Sequence, residues 1–293
     1  MPIPRRILIR VIGAPLLVLA LCGVIYWGHW LGTQGRANTP LEVLILVVVV
    51  VCGIEFYGMC AAKGIATARW AGILALVAEF WPSALGGPFQ GHTQACATWM
   101  WVGFPLYLLC KLVFRYGRFT PEGAGLTYLG YAYIGLLRYA VSSFDHAHHL
   151  AYFLLFLLAA GKGSDMAAFV VGKAIGRHPM APQVSPNKTW EGGIAGGVVG
   201  TAAGFLVLLW TPLREDYRWM PAVALLFLAL VVTIASQVGD LVKSAFKRWA
   251  GVKDSGRLLP EFGGMIDMVD SFIVAAPAAH LAAMALEALL KRN

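Results

Sequence analysis

Long apolar runs, separated by short polar segments, repeat along the whole of this chain. About nine approach 20 residues: 7–28, 41–60, 68–85, 95–114, 124–142, 149–171, 193–210, 220–239 and 268–290. That is the length an α-helix needs to cross the hydrocarbon core of a bilayer. A spanning segment must satisfy its own backbone hydrogen bonds, so the pattern predicts an all-α, polytopic transmembrane helix bundle. The 68–85 run is short and contains Glu79. No soluble domain fits between the runs.

Composition agrees with this reading. Apolar residues make up 59% of the 293 positions and charged residues only 13%, against roughly 25% charged in soluble proteins. The net charge of +8 does not require nucleic acid, because the positive-inside rule accounts for it. With the N-terminus in the cytoplasm, about 17 of the 23 Lys and Arg residues fall on the cytoplasmic side. The polar loops 162–191 and 241–266 then face the cytoplasm, where nucleotides are, and the expected location is the cell (inner) membrane. Arg5, Arg6 and Arg10 precede the first run as in a signal peptide, but the run is too long and no Ala-x-Ala-like site follows. It is expected to stay as a helix. The five cysteines (Cys22, Cys52, Cys60, Cys96 and Cys110) lie inside predicted spans with no Cys-x-x-Cys pair, so they read as packing residues.

The two halves differ. Residues 1–160 hold scattered charges and read as transmembrane scaffold. Residues 161–293 hold nearly every candidate for chemistry and read as the catalytic region of the same membrane unit. Gly192, Gly196, Gly200 and Gly204 recur every fourth residue, which puts bare backbone on one helix face. Such a stripe admits a close helix neighbour, either within the chain or in a homodimer.

Charge near a bilayer is costly, so dense polar clusters there mark candidate sites. Asp240, Ser244 and Lys247 share one helix face, with Lys243 one turn from Lys247. A carboxylate, a hydroxyl and two ammonium groups on one face suit a metal-bound phosphate. Snorkelling at a helix end explains the lysines as well, but it explains Asp240 poorly. Asp267 and Asp270 stand at i and i+3 at the start of the last run, beside Ser271. Helix capping is the plain account of such acids; a pair of them near lysines also suits Mg²⁺. Gly263 and Gly264 just upstream let backbone approach a ligand closely.

A third segment, Ser185-Pro-Asn-Lys188-Thr189-Trp190-Glu191-Gly192, opens the seventh run. Ser185, Lys188 and Thr189 are phosphate-contacting types, and a helix N-terminus behind them adds N–H donors. Trp190 reads as an interface anchor or a stacking surface, and Glu191 as a metal ligand or a first-turn acid. Asp165, beside Lys162 and Ser164, is either a helix-end residue or a substrate contact. Asp145, His146, His148 and His149 resemble a metal site, but they fall on the outer side and read as a solvated turn. Glu55 and Glu79 sit inside spans without evident partners.

Residues 236–271 resemble the signature of the phosphatidate cytidylyltransferases, the CDP-diacylglycerol synthases. The resemblance rests on Ser244-Ala-Phe-Lys247-Arg248, then Lys253-Asp254-Ser255-Gly256, then Gly263-Gly264 and Asp267 with Asp270. Ser164-Asp165 and the 185–192 segment match in the same order, so the likeness covers roughly the C-terminal half. Phe262 stands where members commonly carry His, and Met268 where they carry Arg. Roles of those family residues are not carried over, and lipid preference or rate is expected to differ.

The resemblance implies an enzyme that transfers CMP from CTP to phosphatidic acid, giving CDP-diacylglycerol and pyrophosphate. It implies Asp240, Asp267 and Asp270 as ligands of Mg²⁺, as one ion, two ions or one divalent with one monovalent ion. Lys188, Lys243, Lys247, Arg248 and Lys253 would neutralise phosphates. Ser185, Thr189, Ser244 and Ser271 would orient phosphate oxygens, and Asp254 would order Lys253 or meet the nucleotide. Three other readings stay open: a CTP-dependent polyprenol-type lipid kinase, a cytidylyltransferase for another lipid phosphate, and an anion transporter. No inverted repeat or broken-helix pair favours the last of these.

Overall fold

The computed structural model describes residues 39–85, 93–142, 150–256 and 263–291. The first predicted span (7–28), the 145–149 cluster and Phe262 lie outside the described residues. The chain is mostly helical: α1 Thr39–Ala62, α2 Arg69–Leu85, α3 Thr93–Phe114, α4 Pro121–Gly135, α5 Arg138–Ser142, α6 Leu150–Ile175, α7 Trp190–Trp210, α8 Leu213–Asp216, α9 Ala222–Ala250 and α10 Met265–Leu290. Among the described residues five helices are long and apolar enough to cross a membrane, namely 42–62, 150–175, 190–210, 222–250 and 265–290. The expected 124–142 span is instead two helices, α4 and α5, separated at positions 136–137.

The all-α expectation needs one correction. Strands β1 Pro179–Ala181 and β2 Ser185–Thr189 pair antiparallel, Pro179 with Thr189 and Ala181 with Ser185. The segment 162–191, expected to be a polar loop, is thus helix to residue 175 and hairpin beyond. Lys162, Asp165 and Lys173 are few enough for an otherwise apolar helix to carry them past the hydrophobic run. The segment 241–266 is likewise helix as far as Ala250. There Gly251 adopts a left-handed φ of +71° and closes α9, its N–H bonding the carbonyls of Arg248 and Lys247.

Two compact units account for the contacts. The first comprises residues 1–135 and 254–268, the second 136–253 and 269–293. In the first unit, Tyr57 of α1 donates from its hydroxyl to the Thr127 carbonyl of α4 at 2.8 Å. The Thr127 hydroxyl accepts from Ala68 N at 2.9 Å. Gly72 of α2 and Gly130 of α4 leave the notches that Phe56 and Tyr57 fill.

In the second unit the glycine stripe packs against α6. A methyl carbon added at Gly192, Gly196 or Gly200 would fall 2.6, 2.7 or 2.5 Å from the carbonyl oxygens of Ala168, Ser164 and Ala160; at Gly204 it would meet the Phe156 ring at 3.0 Å. Two four-residue ladders therefore run past each other, backbone against backbone. The stripe packs within the chain. Gln237 of α9 ties the layer together, donating to Ser164 Oγ at 2.9 Å and to the Gly193 carbonyl at 3.0 Å. The apolar core beneath is built by Phe156 and Leu157 of α6, Leu208 of α7, Leu228 and Val232 of α9, and Ala275 and Ala276 of α10.

Candidate active site

Strand β2, helix α9 and helix α10 each bring charge to one place in the second unit. Asp240 of α9 receives the Lys188 ammonium on Oδ2 at 2.5 Å and the Lys243 ammonium on Oδ1 at 2.6 Å. Lys243 also meets Asp270 Oδ2 at 2.6 Å. Ser271 donates to Asp270 Oδ1 at 3.2 Å. Both carboxylates therefore lie within about 5 Å of each other around one ammonium. The Asp270 side chain is 2% exposed and that of Lys243 10%. Two negative and two positive charges balance here, which is how buried charge is tolerated.

The backbone brings these groups close for a local reason. Gly239 packs on α10 so tightly that a Cβ there would stand 2.6 Å from the Asp270 carbonyl oxygen. Asp240 follows it directly, and Lys243 lies one turn on, facing the same partner. Lys188 enters from β2, whose last residue, Thr189, caps α7 by accepting from Gly192 N at 3.3 Å. Thr189, expected as a phosphate contact, is thus engaged as a helix cap.

Other expected site residues have other surroundings. Glu191 pairs with His178, Oε1 to Nδ1 at 2.6 Å, which the sequence reading did not foresee. Asp165 pairs with Lys162 at 3.4 Å in a half-exposed contact. Arg248 donates to the Val184 carbonyl at 3.3 Å, holding the hairpin turn to the end of α9. Lys247 and Arg248 occupy the last turn of α9, where cations complement the helix dipole. Ser185 opens β2, and Ser244 lies half-buried on α9. Lys253 and Asp254 are exposed.

Asp267 belongs to the first unit. Its Oδ2 accepts from Ser255 N at 3.2 Å, Ser255 Oγ at 3.0 Å and Gly264 N at 3.2 Å. The Asp267 N–H in turn bonds the Gly264 carbonyl at 3.1 Å. This is the reciprocal half of a capping box, with Gly264 at the N-cap. Gly263, at φ +86°, turns the chain into that cap. Gly264, expected to admit a ligand, instead lies against Ser255 and the Glu55 carboxylate. Sequence reasoning gave Ser255 no role and Glu55 no partner; an acid inside an apolar run was the available signal.

Among the described residues no group of three or more His, Cys, Asp or Glu side chains assembles as a metal site. The paired oxygens of Asp240 and Asp270 nevertheless suit Mg²⁺. That ion takes one or two carboxylates and completes its shell with water and substrate phosphate. An apolar groove of about 920 Å³ runs between α7 and α9. Gly193, Gly197 and Thr201 line one side, Phe227, Leu230 and Ile234 the other, with Trp190 and Gln237 among the remaining lining residues.

The chain is thus a mostly helical protein with helices of membrane-spanning length and a buried lysine–carboxylate cluster. The chain belongs to the cytidylyltransferase family, whose model matches residues 8–286. It is similar to the phosphatidate cytidylyltransferase of Brucella suis, 39% identical over 174 residues, 59% of this chain and 60% of the relative. A protein of that name from Staphylococcus haemolyticus is 33% identical over 178 residues, 60% of this chain and 65% of the relative. One from Chlamydia pneumoniae is 37% identical over 166 residues, 54% and 53% of the two chains. The chain thus spans less than two thirds of the length of these relatives.

Proposed function

We propose that this protein transfers CMP from CTP to phosphatidic acid at the cytoplasmic face of the inner membrane. The observation that carries the reading is the Lys188–Asp240–Lys243–Asp270 cluster. Family membership and the relatives' names support it. The nine-span arrangement with a cytoplasmic N-terminus is part of the proposal and rests on the Lys and Arg asymmetry.

In this reaction a phosphate oxygen of the lipid attacks the α-phosphorus of CTP. A new P–O bond forms, the bond from the α-phosphorus to the bridging oxygen breaks, and pyrophosphate leaves with that electron pair. The nucleophile is already an anion, so no strong general base is required. The difficulty is that two polyanions must meet, and catalysis is then mainly positioning and charge neutralisation. Lys188 and Lys243, fixed by Asp240 and Asp270, present ammonium groups at set positions. Lys247, Arg248 and Lys253 add positive charge near the end of α9. Asp240 and Asp270 are the proposed Mg²⁺ ligands. When bound, the metal supplies Lewis-acid neutralisation of the triphosphate. Assigning Asp267 to the same ion rests on its i, i+3 spacing from Asp270 in the sequence. The apolar groove is the proposed berth for an acyl chain of the lipid.

The test uses purified protein with CTP labelled in the cytidine, phosphatidic acid and Mg²⁺. The expected products are a cytidine-bearing lipid and pyrophosphate. Release of CDP with a newly phosphorylated lipid would instead identify a kinase and refute the transfer of CMP.

A further inference from the structure

Glu55 lies within an apolar helix yet bonds the start of α10, Met265 and Ile266, far along the chain. Its Oε1 accepts from Met265 N at 2.7 Å, and its Oε2 accepts from Ile266 N at 2.9 Å. Ser255 Oγ stands 3.0 Å from the same Oε2. The first N–H groups of a helix have no intrahelical acceptor, and an N-cap side chain commonly provides one. Here the N-cap is Gly264, which has no side chain. Glu55 supplies the missing acceptors from α1. The glycines follow from this arrangement, since a Cβ at Gly256 or Gly264 would collide with the Glu55 carboxylate.

The same first turn of α10 carries Asp267. Ser255 Oγ lies between the two carboxylates, 3.0 Å from Glu55 Oε2 and 3.0 Å from Asp267 Oδ2, and its one proton is shared between these two acceptors. Ser255 N and Gly264 N complete the grip on Asp267 Oδ2. The five donor groups belong to Ser255, Gly264, Met265 and Ile266, so displacing Glu55 displaces the groups that hold Asp267. The Glu55 residue is 7% exposed and Ser255 is also 7% exposed, so water does not readily replace either partner.

We propose that Glu55, acting through Ser255, is a positioning residue that sets the Asp267 carboxylate for its cation. The inference rests on the metal assignment of Asp267 made above. Groups that orient a ligand from outside its coordination shell typically affect metal affinity by about 10–100-fold. In Glu55→Gln the shape is kept, but one acceptor oxygen becomes an NH₂ donor facing N–H or O–H. In Ser255→Ala the Glu55 bonds to Met265 and Ile266 survive, so helix entry is preserved.

The experiment is Mn²⁺ titration of the purified full chain in detergent, followed by electron paramagnetic resonance without nucleotide or lipid. Affinity and number of sites are read separately. Glu55→Gln is expected to weaken Mn²⁺ binding by about 10–100-fold at unchanged stoichiometry. Ser255→Ala is expected to weaken it in the same direction. The double variant should be no weaker than Glu55→Gln within about twofold, because both act on one carboxylate. Glu42→Gln, on the same helix, should leave affinity unchanged. Wild-type affinity in Glu55→Gln would overturn the proposal, as would fewer sites at unchanged affinity, additive losses in the double variant, or no Mn²⁺ binding by the wild type. Because the titration needs no substrate, wild-type protein that binds Mn²⁺ but makes no cytidine-bearing lipid would refute the proposed reaction and not the role of Glu55.

Discussion

Gly239→Ala tests how the charge cluster is built. The added methyl carbon would fall 2.6 Å from the Asp270 carbonyl oxygen and 3.3 Å from Ser271 Cα. Ordinary contact begins near 3.4 Å, so α9 and α10 must part locally by about 0.8 Å. Lys243 bridges these helices, with both of its carboxylate partners at 2.6 Å. At an effective dielectric of about 20, stretching one such pair from 2.6 to about 3.4 Å removes roughly 1.5 kcal/mol of attraction. That is about tenfold in rate if it is felt in the transition state, and misplacement by about 1 Å can cost up to about 100-fold. The expected outcome is a 10–100-fold loss of cytidine-lipid formation by protein that still elutes as a folded species. Gly58→Ala is the control, since nothing lies within 4 Å of a Cβ at Gly58; it should keep activity within about twofold, as an exposed helix glycine is replaced at little cost. If Gly239→Ala retains more than half of wild-type turnover, close helix approach does not position Asp270, and the geometric argument fails.

Gly200→Val should lower the melting temperature in detergent, because its Cβ would meet the Ala160 carbonyl at 2.5 Å and Thr233 Cγ2 at 2.7 Å, an overpacking cost of about 1–3 kcal/mol. Gly197→Ala, which meets nothing within 4 Å, should not. Lys243→Met leaves two carboxylates with only Lys188 as an observed ion-pair partner and should destabilise by about 3–5 kcal/mol, measured by thermal unfolding; unchanged stability would show that the pairs are not buried as described. Asp267→Asn should abolish CTP-dependent product while leaving membrane insertion intact, checked by extraction from washed membranes; near-normal turnover would remove Asp267 from the metal assignment. Chelation with EDTA should stop turnover and added Mg²⁺ should restore it, whereas activity that persists through chelation would refute the metal requirement.

Much of the site was legible because its residues are close in sequence or repeat with helical period. Asp240 and Lys243 lie one turn apart, and Asp270 with Ser271 opens a predicted helix. The glycine stripe was legible as a packing face for the same reason, although its partner was not. The hairpin at 179–189 was missed: its strands are short, mostly half-buried and carry Pro, so no alternating apolar pattern announced them. Thr189, read as a phosphate contact, caps α7, and Glu191, read as a metal ligand or a first-turn acid, pairs with His178 in that first turn. Those roles depend on a chain reversal that local composition does not encode.

Hydropathy alone was enough to indicate a mostly helical chain with segments of membrane-spanning length, because apolar runs of that length have few other ways to satisfy their backbone in a bilayer. Motif order was enough to indicate the family. Tertiary structure decided which face of α6 fills the glycine stripe, that Lys243 serves two aspartates, and that Glu55 closes a loop far along the chain. Those outcomes follow from contacts between helices, whose partners are selected by shape and charge in three dimensions and leave no fixed spacing in the sequence.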